Sequence, residues 1–167
     1  MNKNKPISAK RGQSMIEVVV GLAVATLLAV ALISTTLYTQ KLSRSAKNNT
    51  QATKLAQQGI EQVRIVRDRL GFVSLTNSAC LQVNTPDVNN PSTWTLVSSG
   101  APCAQSIAPS VSGDTTFARN IAIANGTNAN QKKVTVTVTW TEGSTPMTVT
   151  NITFLSNVCT SQPSSCP

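Results

Sequence analysis

The chain has 167 residues, contains no histidine, and carries 14 lysines and arginines against only six acidic residues, for a formal net charge of +8. Without histidine, a Ser–His or Cys–His nucleophile is excluded. The acids show no paired spacing for acid–base work or metal binding, and there is no glycine-rich phosphate loop. We therefore expect a protein that is not an enzyme and that holds no cofactor or metal.

The N-terminal part of the sequence has the charge pattern of a membrane anchor. Four positive residues lie within residues 1–12, and residues 18–38 form an uncharged apolar run of 21 residues. About 20 apolar residues suffice for a helix to cross the hydrocarbon of a bilayer. Because positive residues resist translocation, we expect residues 1–12 to stay in the cytoplasm and the chain after Tyr38 to lie outside.

The junction between these two segments reads KRGQSMIE, residues 10–17. This octet, followed by an unbroken apolar run, resembles the N-terminal signal of type IV pilins and pseudopilins. The resemblance implies that a prepilin peptidase cuts between Gly12 and Gln13 and N-methylates Gln13, and that Glu17 becomes the fifth mature residue. The new terminus is usually Phe in that family. Gln13 in its place fits a minor pilin or pseudopilin better than a main filament subunit.

The resemblance also gives Glu17 a role and the chain its partners. In the family, this acid pairs with the free α-amine of a neighbouring subunit, an attraction that is strong in a low-dielectric environment. The expected partners are the peptidase, other pilin subunits, an inner-membrane assembly platform and, before assembly, membrane lipid. The expected location is the inner membrane as a single-pass protein, then a pilus or pseudopilus. A simpler interpretation of Glu17 is an acid facing lipid headgroups.

Two alternative interpretations of the N-terminus remain. A conventional secretory signal would use the A-x-A sequence at residues 29–31 as its cleavage site. Against this, the apolar run continues beyond Ala31, and Glu17 lies at the start of the apolar region. The other alternative is an uncleaved, single-pass anchored domain that binds a surface target and does not polymerise.

A single long helix is predicted from Ser14 to about Leu70, because no proline occurs between Pro6 and Pro86. Gly71 is a natural stop. The predicted divisions are a leader of residues 1–12, an apolar helix half of 13–40, an amphipathic half of 41–71 and an extracytoplasmic domain of 72–167. Apolar residues recur every three or four positions in the amphipathic half, at Ala52, Leu55, Ala56, Gly59, Ile60, Val63, Val66 and Leu70.

The fold class predicted for the whole chain is α+β. Residues 72–114 are rich in turn residues, with short strands expected at 80–83 and 94–97. Alternation at residues 117–123, with Arg119 on the apolar parity, and at 134–141 predicts strands. A turn at 142–146 leads to a strand over 147–156, where a change of parity predicts a bulge near Thr150 and Asn151. Three or four antiparallel strands would then pack on the amphipathic half of the helix.

Four cysteines, Cys80, Cys103, Cys159 and Cys166, all lie on the predicted outer side. An even number in an oxidising compartment indicates two disulfides, for which three connectivities exist. Sequence proximity favours Cys80 with Cys103 and Cys159 with Cys166. A metal site is disfavoured because there is no C-x-x-C and no histidine.

The charged residues of the outer part suggest two kinds of contact. On the helix, Arg64 is expected to pair with Asp68 and with Glu61. DNA is a further candidate partner, since some pilins and pseudopilins serve DNA uptake. Arg119, Lys132 and Lys133 would form a basic patch, with Trp94 or Trp140 for stacking. Removing residues 1–12 leaves 10 − 6 = +4 for the mature chain, so the high net charge is partly that of the leader.

Overall fold

A computed structural model describes residues 13–100, 103–107 and 115–157 of the chain. It has the predicted α+β architecture, with one long N-terminal helix and an antiparallel sheet of six strands. Of two short 3-10 helices, Phe72–Ser74 follows α1 and Pro91–Thr93 lies between the first two strands of the sheet. The larger elements are α1 (Gln13–Leu70), β1 (Ser78–Asn84), β2 (Thr95–Ser98), β3 (Gln105–Ile107), β4 (Phe117–Asn125), β5 (Gln131–Glu142) and β6 (Thr145–Ser156).

Helix α1 is continuous over its 58 residues, as the absence of proline predicts. Gly71 ends it with a φ of +82°, and its N–H donates to the carbonyl of Arg67 at 2.8 Å. The predicted stop is therefore confirmed. The chain divides into two compact units between Arg44 and Ser45, so the two parts of α1 belong to different units. The second unit contains residues 45–70 of the helix and the whole sheet.

The strands of the sheet lie in the order β2-β1-β4-β5-β6, and β3 pairs with one end of β4. Every pairing is antiparallel. The predicted strands at 80–83 and 94–97 correspond to β1 and β2 within a few residues, but β3 was not predicted. The predicted bulge near Thr150 and Asn151 is wrong, because β5 and β6 pair without interruption from Gln131 with Ser156 to Glu142 with Thr145.

The core of the second unit lies between residues 45–70 of α1 and one face of the sheet. The helix contributes Ala52, Ala56, Ile60, Val63 and Val66, and the sheet contributes alternate residues of β4 and β5, namely Phe117, Ile121, Ile123, Val134, Val136, Val138 and Trp140. Leu70 was predicted to belong to this stripe but is 47% exposed, because it is the last residue of the helix. The other stripe positions are buried, apart from the half-buried Leu55.

Candidate functional site

Within the described residues, the first unit presents an exposed apolar surface. Every large apolar residue from Met15 to Leu42 is exposed, with exposed fractions between 51% and 78%. The stretch is long and apolar enough to cross a membrane, and none of its most apolar window is buried. Such a surface is unfavourable in water, and contact with lipid or with an apolar partner would stabilise it. This is consistent with single-pass membrane anchoring.

Glu17 is the one charged residue of this apolar half, residues 13–40. Its side chain is exposed, and no residue in the described part of the chain forms a hydrogen bond or ion pair with it. It lies near the beginning of α1, about 6 Å along the helix axis from Gln13 at 1.5 Å per residue. A carboxylate at that position is available to a partner outside the chain.

Five serine and threonine hydroxyls in the apolar half have partners within the helix itself. Thr26, Ser34, Thr35, Thr36 and Thr39 each donate to a backbone carbonyl three or four residues earlier, over 2.8 to 3.0 Å. These bonds satisfy the hydroxyls without water. These five side chains are therefore compatible with an apolar environment.

The end of the second unit where the helix enters it is fixed by a polar contact. Glu142, at the end of β5, accepts a hydrogen bond from the indole of Trp140 at 2.9 Å and one from the amide of Asn48 at 3.1 Å. Asn48 lies only three residues after the boundary between the units. The contact holds the β5–β6 hairpin against the first turn of the packed helix segment.

The ion pairs on the helix differ in part from the expectation. Arg64 and Glu61 form the predicted pair at 2.8 Å. Asp68, however, pairs with its neighbour Arg67 at 2.6 Å instead of with Arg64. The guanidinium of Arg64 also lies 3.5 Å from the hydroxyl of Thr153 on β6, which draws it toward the sheet and away from Asp68.

The structure contains a disulfide bond between Cys80 and Cys103, the pairing that sequence proximity favours. It joins β1 to the segment just before β3. The other two cysteines, Cys159 and Cys166, lie outside the described residues. The bond therefore holds the two sides of a loop that includes β2.

The basic patch proposed for DNA binding is not formed as predicted. Arg119 is only 4% exposed and faces the helix, and Trp94 and Trp140 are both in the core. The ammonium of Lys132 donates to the side-chain oxygens of Asn77 and Asn125. Lys133 remains on the outer face of the sheet, where its neighbour on β6 is the half-exposed Phe154. The alternation of apolar and polar residues along β6 did not identify Phe154 as a surface residue, because apolar residues occur on both faces of that strand.

Arg119 is instead a structural residue of the helix–sheet interface. It donates to the side-chain oxygen of Gln105 at 3.0 Å and lies 3.4 Å from the carbonyl of Leu55, while its Nε has no partner in the described part of the chain. Burial disfavours its charged form and lowers its pKa from the ordinary value. In the sequence of β4, Arg119 alternates in step with the buried Phe117 and Ile121, and this spacing indicated that its side chain would be buried.

The motif residues that the sequence singled out are only partly described. Gly12 lies outside the described residues, Gln13 is the first residue of α1, and Glu17 lies on its exposed apolar half. Comparison with known proteins adds no relative: no protein-family model, curated protein or solved structure matches the chain.

Proposed function

We propose that the chain is a minor pilin or pseudopilin, a structural subunit of a type IV pilus-like filament. A prepilin peptidase would cleave it between Gly12 and Gln13 and methylate Gln13. The observation that carries the proposal is the division of one helix into two unlike halves. Residues 45–70 bury an apolar stripe on their own sheet, whereas the preceding half exposes apolar side chains and one carboxylate, Glu17.

The exposed half explains two successive states of such a subunit. In the inner membrane, lipid covers the apolar side chains, and the mature subunit is stored as a single-pass protein. When an assembly platform withdraws the subunit from lipid, only the corresponding helices of other copies offer an equally apolar cover. Apolar helix packing therefore favours association in the filament over exposure to water.

Glu17 supplies the specificity that apolar packing lacks. Cleavage after Gly12 creates an α-amine on Gln13 that is mostly protonated at neutral pH. A carboxylate moved into a helix bundle without a partner is strongly unfavourable, whereas pairing with an amine offsets its desolvation. The pair between Glu17 of one copy and Gln13 of another would fix the axial offset between neighbours.

The N-terminus decides between this function and its alternative. Mass spectrometry of the chain isolated from its membrane should find a polypeptide that begins at N-methylated Gln13. A chain that keeps residues 1–12 would instead be an uncleaved, anchored surface-binding protein. Gly12→Leu should block cleavage and leave the chain in the membrane fraction.

A second experiment tests the carboxylate. Glu17→Ala and Glu17→Gln should each lower recovery of the chain in sheared filaments by about tenfold or more, with unchanged amounts in the membrane. Asp68→Ala is the matched control, because Asp68 is an exposed acid on the same helix in the second unit. Normal incorporation of both Glu17 variants would refute the proposed pairing.

A further inference from the structure

The outer edge of β6 is the longest unpaired strand edge in the described part of the chain. β6 has 12 residues, ends the strand order of the sheet, and pairs along its whole length with β5 on one side only. The other strands at the margins of the sheet are short, with four residues in β2 and three in β3. A long open edge presents a row of backbone donors and acceptors to any extended segment.

This edge lacks the features that usually prevent strand addition. Its sequence, TPMTVTNITFLS, contains no charged residue, and its single proline is the second residue. Its pairing contains no bulge. Ile152 and Phe154 are 53% and 51% exposed on the face away from the helix. Natural proteins generally protect such an edge with lysine, proline, a bulge or a covering element.

There is also room beside the edge for the side chains of an added strand. An open groove of about 280 Å³ runs between α1 and β6, bordered by Gln57, Ile60, Glu61 and Arg64 on the helix and by Asn151, Ile152 and Thr153 on the strand. In an added strand, alternate side chains would point into this groove and the others would lie beside Ile152 and Phe154.

We infer that β6 binds the β2 edge of a second copy of this chain, so that the sheet continues from one copy to the next. The inference rests on the proposed function, because neighbouring copies anchored or assembled through their N-terminal helices have a high effective concentration. The chemistry of the edges matches as well. Like β6, β2 ends the strand order and contains no charge, in the sequence TLVS.

Strand direction selects β2 rather than a second β6. Four antiparallel steps separate β2 from β6, so the two run in the same direction. Copies that share one orientation therefore pair β6 with β2 in parallel, in a head-to-tail contact that repeats without closing. Pairing of β6 with β6 would need a two-fold axis through the sheet, which would reverse the helix segment 45–70 of one copy relative to the other.

Site-specific photo-cross-linking in cells that make the full chain tests this contact. A benzoylphenylalanine at position 150, replacing the exposed Thr150 of β6, is expected to join a second, differently tagged copy, with the attachment mapped to β2 by mass spectrometry. The same group at position 137 is the control, because Thr137 is the partner of Thr150 on the interior strand β5. Its yield of joined copies should be about tenfold lower.

A pair of lysine variants tests the edge independently. Ile152→Lys in the cross-linking chain should reduce the yield from position 150 about tenfold, because a charged side chain disfavours strand addition at an edge. Thr135→Lys, the interior partner of Ile152 on the same face, should leave the yield unchanged. Fluorescence of Trp94 and Trp140 checks that both variants keep the fold.

Each outcome has a distinct meaning. Attachment to another part of a second copy, to residues 158–167 of the same chain or to a different protein overturns the inference, as does the absence of any joined copies. Processed chains in filaments without the β6–β2 product would leave the proposed function intact and refute this contact. An unprocessed chain that still gives the product would support the contact and refute the filament function.

Discussion

Gly59 is where α1 approaches the sheet most closely, and it gives the sharpest test of the helix–sheet packing. A β-carbon at this position would lie 2.9 Å from Cγ1 of Val136 and 3.2 Å from Cδ of Arg119. Ordinary carbon–carbon contacts are about 3.5–4.0 Å. Gly59→Ala should therefore destabilise the protein, although alanine is the better helix former.

The magnitude follows from two opposing effects. Replacing glycine by alanine inside a helix contributes about 1 kcal/mol of stability. Inserting a carbon into a filled core typically costs about 1–3 kcal/mol. The upper part of that range applies here, because Val136 is fully buried on a central strand and, being β-branched, has little rotamer freedom. We expect a net loss of about 1–2 kcal/mol in the free energy of unfolding.

Denaturant unfolding of the full chain in detergent, followed by tryptophan fluorescence, measures this value. Trp94 and Trp140 are both buried in the second unit and report on its packing. Gln58→Ala, an exposed neighbour on the helix, is the control and should change stability by less than about 0.5 kcal/mol. Combining Gly59→Ala with Val136→Ala should recover part of the combined loss. A gain of about 1 kcal/mol for Gly59→Ala alone would show that the helix does not lie this close to the sheet.

Three further predictions use the same unfolding assay. Val63→Ala should lower the free energy of unfolding by about 2–3 kcal/mol, because Val63 is fully buried. Leu70→Ala should lower it by less than about 1 kcal/mol, because Leu70 is exposed. Equal losses for the two variants would contradict the assignment of Leu70 to the surface. Arg119→Met should leave stability within about 1 kcal/mol of the wild type or raise it, because it removes a buried charge that has no carboxylate partner in the described part of the chain. Arg119→Ala should lower stability by about 2 kcal/mol or more, because it also leaves a cavity. A large loss of stability in Arg119→Met would indicate that the guanidinium has a counter-ion. Cys80→Ser with Cys103→Ser should cost about 3 kcal/mol, as expected for a loop closed over a separation of 23 residues, and an unchanged midpoint would mean that the bond does not constrain the unfolded chain.

The parts of the fold that local chemistry determines could be predicted from the sequence. Helix α1 follows from the long proline-free run, and its end follows from Gly71, which adopts a positive φ. The buried face of β5 follows from strict alternation of Val and Trp with Thr. Cys80 and Cys103 were paired correctly because short loops are the simplest to close.

The parts that depend on position in the sheet could not be predicted. In β6, apolar residues occur on both parities of the sequence, and Ile152 and Phe154 lie on the outer face. The inner parity carries Met147, Val149 and Leu155, which pack on the core, together with Asn151 and Thr153. An edge strand tolerates this arrangement because both of its faces are partly open. Nothing local in the sequence indicates that β6 is the edge.

The residues of the candidate site could be predicted from the motif and the charge pattern. Their arrangement in an assembly depends on contacts between chains, which the sequence of one chain does not encode locally. Sequence alone identified Glu17 as the isolated acid of the apolar half. The structure adds that its side chain is exposed and has no partner in the described part of the chain. The prediction for Arg119 was wrong. Its charge suggested a surface patch, whereas the alternation of β4 puts position 119 on the buried face of the strand.

The hydroxyl bonds near the end of the apolar half influence how deeply the chain sits in a bilayer. Because the hydroxyls of Ser34, Thr35, Thr36 and Thr39 donate to their own helix, moving these side chains between hydrocarbon and the headgroup layer costs little free energy. Glu17 and Lys41 are the charged residues that border the uncharged segment on its two sides, and at 1.5 Å per residue they stand about 36 Å apart along the axis. That length exceeds the hydrocarbon thickness of about 30 Å, so the helix can slide or tilt by several ångströms before either charge enters the oily interior.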